Sequence, residues 1–563
     1  MNSAIGQSAI DRECEAHASG HNVAVIGSQR NHFAANLVKE LRALQPDWSW
    51  SLTDSHLSGI NDRQNTTWVY LPSSTTRNGL TPDLAEAKRA FEQAAAQRCA
   101  QFVLLSSALI YGTSPGRHHL VDEEYRSACN GSRISDEWNS LEALAHEYLD
   151  RIALTILRPS IVLGSPTLFS RLLSRRLVPS LPGHDPSLQL LSLSDLAAAV
   201  LRAIRANKSG TFNLAPDGVV PMHAAIRLSK GVRLPIPRTL RRVISGAETL
   251  DFCRYTWSVS NAKIKQQLGF APRKSSSAAL LEFHGQKQDS EPQFDEFGMD
   301  REYIRFYGKS LFKFLSDHYW RIESTGMEHI PRHGRAILVG MHRGFMPWDG
   351  VMALHTVVRG TGRYPRFLTH PGLLKFPFLA NFMTKLGGVI ACQESADRVL
   401  ESGELLGIFP EGIHGAFVLY RHAYKLQAFG RDAFVKLALR HRAPIIPFVT
   451  VGSAEIFPIF AKIKWRRWTH YADWPFIPIT ATFPFLPFPL PSKWHTQFLP
   501  PISIDQYPPE AADDRAVVKA VSGEVRAKMQ QAVDQMLSRR RSIFSGSVFE
   551  QNKDGARSKT IAV

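Results

Sequence analysis

Short apolar runs alternate with helical periodicity along the first 283 residues. "HNVAVIGS" is an apolar strand ending in glycine, and "HFAANLVKELRAL" then places apolar residues at helical spacing. "SWSLTD", "TTWVYLP", "CAQFVLLSS", "IALTILRPSIV" and "GTFNLAP" predict further strands, with helical patterns such as "PDLAEAKRAFEQAAAQ" and "SDLAAAVLRAIRAN" between them. Alternation of this kind predicts an α/β fold built on a doubly wound parallel sheet, because parallel strands need a covering crossover to pair.

The pattern lapses twice. Residues 1–20 carry no period and predict a disordered tail; "HGQKQDSEPQFDEFGMD", residues 284–300, is polar and aperiodic and predicts a linker. Beyond it a second α/β alternation begins. "GRAILVGMH", "GELLGIFPEG" and "PIIPFVTVG" read as strands, "PWDGVMALHTVV" and "GRDAFVKLALRH" as helices, and "AVVKAVSGEVRAKMQQAVDQMLSRRR" as a long final helix. Domains at 21–283 and 301–545, with a disordered tail at 546–563, follow from these breaks. A chain of 563 residues also exceeds what one core holds, about 250–300 residues.

Charge changes the picture. The formal net charge is +17, which points to an anionic partner. Neither finger spacing nor an RNP-like aromatic strand is present, so a membrane surface or a phosphorylated molecule is expected and no nucleic acid. Five scattered cysteines without a CxxC fit a reducing compartment, and no cluster offers a metal site. The opening residues lack a signal-peptide pattern, and no apolar run reaches the roughly 18 residues a spanning helix needs. "DWPFIPITATFPFLPFPLP" is apolar but broken by prolines.

"VAVIGSQRNHF", "LLSSALIYG", "LRPSIVLGS", "LSLSDLAAAVLRAI", "GTFNLAPDG" and "IKQQLGFAP" occur in an order that resembles the extended short-chain dehydrogenase/reductase family, of epimerase and dehydratase type, over about residues 20–283. The resemblance implies a Rossmann-type domain with a degenerate NAD(P) site. Gly27 and Asp54 are its surviving cofactor-binding positions; Arg30 and Phe33 stand where the family's next two glycines would admit a pyrophosphate. Asp136 and Ser140 align with the family's catalytic tyrosine and lysine, and Tyr111 with a strand-end packing residue. This half is therefore expected to be a pseudo-enzyme or regulatory domain.

Four blocks in the second half, "VGMHRGFMPWDGVM", "LGGVIACQESADRVLESG", "GIFPEGIHG" and "APIIPFVTVGSAEIFP", resemble the glycerolipid and lysophospholipid acyltransferase family over about residues 301–545. "PLPSKWHTQFLPPISIDQY" is similar to its bacterial members. Acyl transfer to an alcohol needs a base, and histidine is the usual one at neutral pH. The resemblance makes His342 that base and Asp349 its orienting carboxylate, with Gly344 and Pro347 turning the backbone between them. Six residues separate the two against the family's commoner four, as in the mono- and diacylglycerol acyltransferase-like subgroup, which leans the acceptor towards a neutral glyceride. Gly344, Glu411, Gly412 and Pro447 form the implied substrate-binding set: Glu411 to meet an acceptor hydroxyl, Gly412 to permit close approach, Pro447 to shape the pocket. Val418 and "IACQES" occupy positions where the family often carries a basic residue and an arginine. Cys392 is expected to be an inert thiol.

"GKSLFKFLSDHYWRI" puts Leu311, Phe312, Leu315, Tyr319 and Trp320 near one helical face, and "AKIKWRRWTH" mixes tryptophan with basic residues. Both have the composition of an interfacial anchor, and equally of an ordinary core-facing segment. The resulting expectation is an O-acyltransferase, cytoplasmic and peripheral on the inner face of the membrane. It would move a fatty acyl group from acyl-CoA or acyl-carrier protein to a glycerolipid-type hydroxyl, with no required cofactor and no metal. The alternatives are a bifunctional protein with a working reductase or epimerase, and a non-catalytic lipid-binding protein.

Overall fold

The computed structural model describes residues 21–27, 32–53, 66–74, 76, 79–113, 120–125, 132–236, 251–286, 294–344, 346–376, 378–430, 432–465, 467, 473–482 and 488–549. The chain divides into two compact units, Met1–Met299 and Asp300–Val563.

In the first unit six strands form one sheet: β1 (Asn22–Ile26), β2 (Ser49–Thr53), β3 (Thr67–Tyr70), β4 (Gln101–Leu105), β5 (Leu154–Pro159) and β6 (Gly210–Leu214). Their order is β6-β5-β4-β3-β1-β2, every pair parallel. The chain winds one way from β1 to β2 and the other way from β3 onward. This is a doubly wound Rossmann-type sheet, whose order reverses between β1 and β3. Helices α1 (His32–Leu44), α2 (Leu84–Ala96), α3 (Arg133–His146) and α4 (Leu193–Ala206) cross between strands. In α1, Ala34, Leu37, Val38 and Leu41 are buried, the i, i+3, i+4, i+7 stripe read from the sequence. Ser192 caps α4 by accepting from the Asp195 amide, and Asn207 closes it in the left-handed conformation.

Among the described residues of the second unit, seven strands form one sheet: β7 (Glu323–Thr325), β8 (Ala336–Gly340), β9 (Arg366–Thr369), β10 (Val389–Ile390), β11 (Leu405–Ile408), β12 (Ile445–Val451) and β15 (His495–Phe498). Their order is β7-β15-β12-β8-β11-β9-β10, with β15 antiparallel to β12 and the other neighbours parallel. A separate hairpin pairs β13 (Ala461–Ile463) with β14 (Ile477–Ile479). Helix α5 (Trp348–Thr361) follows β8, and α6 (Arg515–Arg539) closes the unit. Just past α6, buried Arg540 donates to Glu455 and to the Tyr424 hydroxyl, which itself donates to Glu455 at 2.6 Å.

Two sequence expectations need correction. Residues 294–299 are not a solvated linker: Phe294, Phe297 and Met299 are buried, and the Val219 amide donates to the Asp295 carbonyl. The tail does not begin at 546, since Val548 is buried and the Gly546 carbonyl lies 3.2 Å from His495 Nε2. Of the two readings open for the stripe of 311–320, the core-facing one holds for Phe312, Leu315 and Trp320, which are buried, with Trp320 stacked on Trp494 at 4.6 Å, while Leu311 is exposed. An amphipathic stripe serves a core as well as a membrane. Among the described residues, no helix is long and apolar enough to cross a membrane.

Candidate active site

His342 lies just past the carboxyl end of β8, and Asp349 sits in the first turn of α5. The backbone between them turns at Gly344, whose φ of +76° is costly for any residue with a Cβ. Pro347 then opens α5 at its N-cap. The turn brings His342 Nδ1 to 2.7 Å from Asp349 Oδ2. The same oxygen accepts the Arg343 amide at 2.7 Å, and Oδ1 accepts the Gly350 amide at 2.8 Å. A buried carboxylate that accepts on both oxygens assigns the hydrogen bond to a proton on Nδ1. Nε2 is then the imidazole's unprotonated nitrogen.

His342 and Asp349 line a cavity of about 200 Å³. Its walls are apolar, with Leu354, Phe367, Met383, Phe409, Phe417 and Trp474 among them. No lysine or arginine belongs to its described lining.

Glu411 does not face this cavity. Its side chain is fully buried, and its carboxylate holds Arg343 in a two-pronged pair, Oε2 to Nη1 at 2.7 Å and Oε1 to Nη2 at 3.0 Å. Oε1 also accepts the Gln427 amide at 2.6 Å. Three of the carboxylate's acceptor directions are thus engaged inside the protein, and Glu411 is not among the described lining of the cavity, which corrects the reading of Glu411 as an acceptor ligand. Arg343 was not singled out from the sequence. Its remaining donors reach the carbonyls of His342 (2.6 Å), Lys425 (3.1 Å), Gly415 (3.4 Å) and Ala423. One guanidinium therefore joins the histidine turn, the "FPEG" turn and the 423–427 loop. The available signal was its place directly after the histidine.

Gly412 does line the cavity, yet a Cβ there would meet nothing within 4 Å; its φ of +57°, rather than crowding, accounts for glycine. Gly344 and Pro447 are not part of the cavity wall. Pro447 lies inside β12, beside Val339 of β8. The antiparallel ladder to β15 is interrupted there, between Phe448↔Phe498 and Ile445↔Ile502, so the missing proline N–H leaves no carbonyl unpaired in a regular ladder. Cys392 is outside the cavity lining, and burial pushes its thiol pKa up.

In the first unit Gly27 ends β1, and both it and Phe33 line a separate cavity. Asp54 and Arg30 fall outside the described residues. Asp136 and Ser140 are exposed on α3, with the serine hydroxyl donating to the Asp136 carbonyl. Tyr111 is buried, its hydroxyl between Asn213 Oδ1 (2.6 Å) and Arg158 Nη1 (2.5 Å), and burial raises its pKa to about 12. Among the described residues no group of histidine, cysteine and carboxylate could hold a metal ion.

A family model described as Acyltransferase matches residues 321–451. An uncharacterized protein of Mycobacterium tuberculosis is 36% identical over 276 residues, spanning 48% of this chain and 76% of its own length. A Mycobacterium leprae protein, also uncharacterized, is 34% identical over 48% of this chain and 74% of its own. A Bos taurus protein named DGAT1/2-independent enzyme synthesizing storage lipids is 28% identical over 163 residues, 29% of this chain and 48% of its own. Among solved structures, a human epimerase family protein with NADPH covers 47% of this chain and 99% of its own, at 15% identity and a TM-score of 0.39. A score that low carries no argument, and the doubly wound fold rests on the strand order above. The family match falls on the histidine turn, the cavity and β12, and the chain belongs to the acyltransferase family as an enzyme that transfers acyl groups.

Proposed function

We propose that the second unit moves a fatty acyl group from acyl-CoA or acyl-carrier protein to the hydroxyl of a glycerolipid. The observation that carries this is the His342–Asp349 pair at 2.7 Å in the wall of an apolar cavity. His342 Nε2 takes the hydroxyl proton as the acceptor oxygen forms its bond to the thioester carbonyl carbon. The tetrahedral intermediate collapses, the carbon–sulfur bond breaks, and the imidazolium returns the proton to the leaving thiolate. Asp349 holds the tautomer and stabilises the imidazolium while it exists, as in a hydrolase triad without an enzyme nucleophile. No cofactor or metal enters these steps.

The absence of lysine and arginine from the described cavity lining favours an acceptor without a phosphate, a mono- or diacylglycerol over a phosphorylated lysolipid. The storage-lipid function in the name of the bovine relative agrees with that class. Access from an anionic membrane surface suits the exposed Phe460, Ile463 and Trp465, which sit beside Lys462 and Lys464 at the β13–β14 hairpin. Such a protein would work on the inner face of the membrane. The test is transfer from labelled acyl-CoA to a panel of glycerides and lysophospholipids. His342→Ala should lower the rate about 10²–10⁴-fold in a folded protein; wild-type rates in that variant would refute the mechanism.

A further inference from the structure

The first unit contains a cavity of about 390 Å³ that the acyl-transfer chemistry leaves unused. It lies where the carboxyl ends of β1, β3, β4 and β5 meet: Gly27, Leu71, Leu105 and Ser160 all border it. The strand order reverses between β1 and β3, so this is the crevice in which doubly wound sheets bind ligands. Its volume falls in the range of small-molecule sites, about 300–1,000 Å³.

The lining defines the chemistry of an occupant. Among the described lining residues there is no aspartate, glutamate, histidine or lysine, and Arg171 is the one charge. Arg171 is exposed. Phe33, in the first turn of α1, and Trp138, Trp257 and Phe169 give the wall an aromatic character. Most of the polar groups in that wall are already engaged. Ser106 donates to Glu142, Ser165 to the Val162 carbonyl, Ser74 to the Thr81 carbonyl, and the Trp138 indole to the Leu80 carbonyl. Two buried groups are not: Ser160 Oγ and Trp257 Nε1 have no hydrogen-bond partner among the described residues. Both can donate, and a buried donor left unpaired costs about 1–3 kcal/mol.

We infer that this cavity is a binding site for an uncharged amphiphile, with an apolar body against the aromatic wall and an ester, ether or hydroxyl oxygen accepting from Ser160 and Trp257. Among the described residues the lining offers a dinucleotide's pyrophosphate no cation but Arg171, and Phe33 stands in the first turn of α1, where the pyrophosphate needs bare backbone amides. The inference does not depend on the acyl-transfer reading, because none of its residues belongs to the second unit.

The probe is a 1-monoacylglycerol carrying a photoreactive diazirine on a ten-carbon chain. The full-length His342→Ala protein is cross-linked with it, and labelled peptides are mapped by mass spectrometry. Labelling is expected on peptides containing 105–109 and 159–171, displaced by unlabelled 1-decanoylglycerol and unaffected by NAD⁺ or NADP⁺. Ser160→Ala with Trp257→Phe keeps the apolar wall and removes both donors, and should weaken displacement about tenfold, the equivalent of one modest hydrogen bond per donor. Labelling confined to the second unit would overturn the inference. So would displacement from those first-unit peptides by either dinucleotide, or unchanged affinity in the double variant.

Discussion

Glu411→Gln separates two roles that a motif cannot tell apart. The carboxylate is fully buried against Arg343, which is itself 2% exposed. The amide would keep the size of the side chain, but it removes the negative charge and turns an N–H₂ towards a guanidinium that has only donors. Removing one partner of a buried ion pair typically costs about 3–5 kcal/mol, because the other charge stays buried without compensation. Arg343 also holds the His342 carbonyl at 2.6 Å, so a relaxed guanidinium lets the histidine turn drift. A displacement of about 1 Å costs on the order of 10²-fold in rate. Urea denaturation should therefore show the loss in stability. Kinetics in the still-folded range should show kcat falling with KM for the acceptor nearly unchanged. Arg343→Met combined with Glu411→Leu removes both charges together. It should regain most of the lost stability but not kcat, since no donor then reaches the His342 carbonyl. A stable Glu411→Gln protein with raised KM and normal kcat would refute the reasoning and return Glu411 to the acceptor.

Asp349→Asn should lower kcat severely, and its combination with His342→Ala should be little worse than either change alone, because the two side chains act as one unit in the transfer assay. His355 is buried with Nε2 unpartnered; burial, then Arg359, lowers its pKa to about 4, against a partial opposing effect of Asp317. A depressed histidine pKa means that the unfolded chain takes up the proton first. Stability should therefore hold above about pH 6.5 and fall by about 3 kcal/mol towards pH 4, and His355→Phe should flatten that slope in denaturation at a series of pH values. The protein should bind anionic vesicles more tightly than neutral ones, with binding weakened by salt and by Trp465→Glu; equal partition across a salt series would count against membrane docking.

The first sheet was legible because its strands are covered on both faces. β3, β4 and β5 are buried at every position, so each appears in the sequence as a largely apolar run. Of the strands the pattern does not show, β9 opens on the charged Arg366 and β10 is two residues long, too short for any period to register. In the site, a glycine and a proline between His342 and Asp349 gave enough turn chemistry to bring the pair together in thought. Glu411 was misread because a motif gives a residue's identity and not its direction. The carboxylate points inward because Arg343 waits there, and a place directly after the histidine does not tell which carboxylate that arginine will meet. Phe294, Phe297 and Met299 have the sequence pattern of a linker because they pack without helical or strand periodicity.

The cluster at Arg540 sets a limit on trimming the chain. Glu455 and Arg540 are 5% and 6% exposed, and the segment beyond α6 continues through the Ile543 carbonyl, which accepts from the Lys493 amide at 2.7 Å. A protease cut, or an engineered stop codon, placed before residue 540 would strand the Glu455 carboxylate in the interior with Tyr424 as its remaining donor there. A fusion tag attached past residue 549 touches none of these contacts. The segment just after α6 is thus an internal part of the second unit.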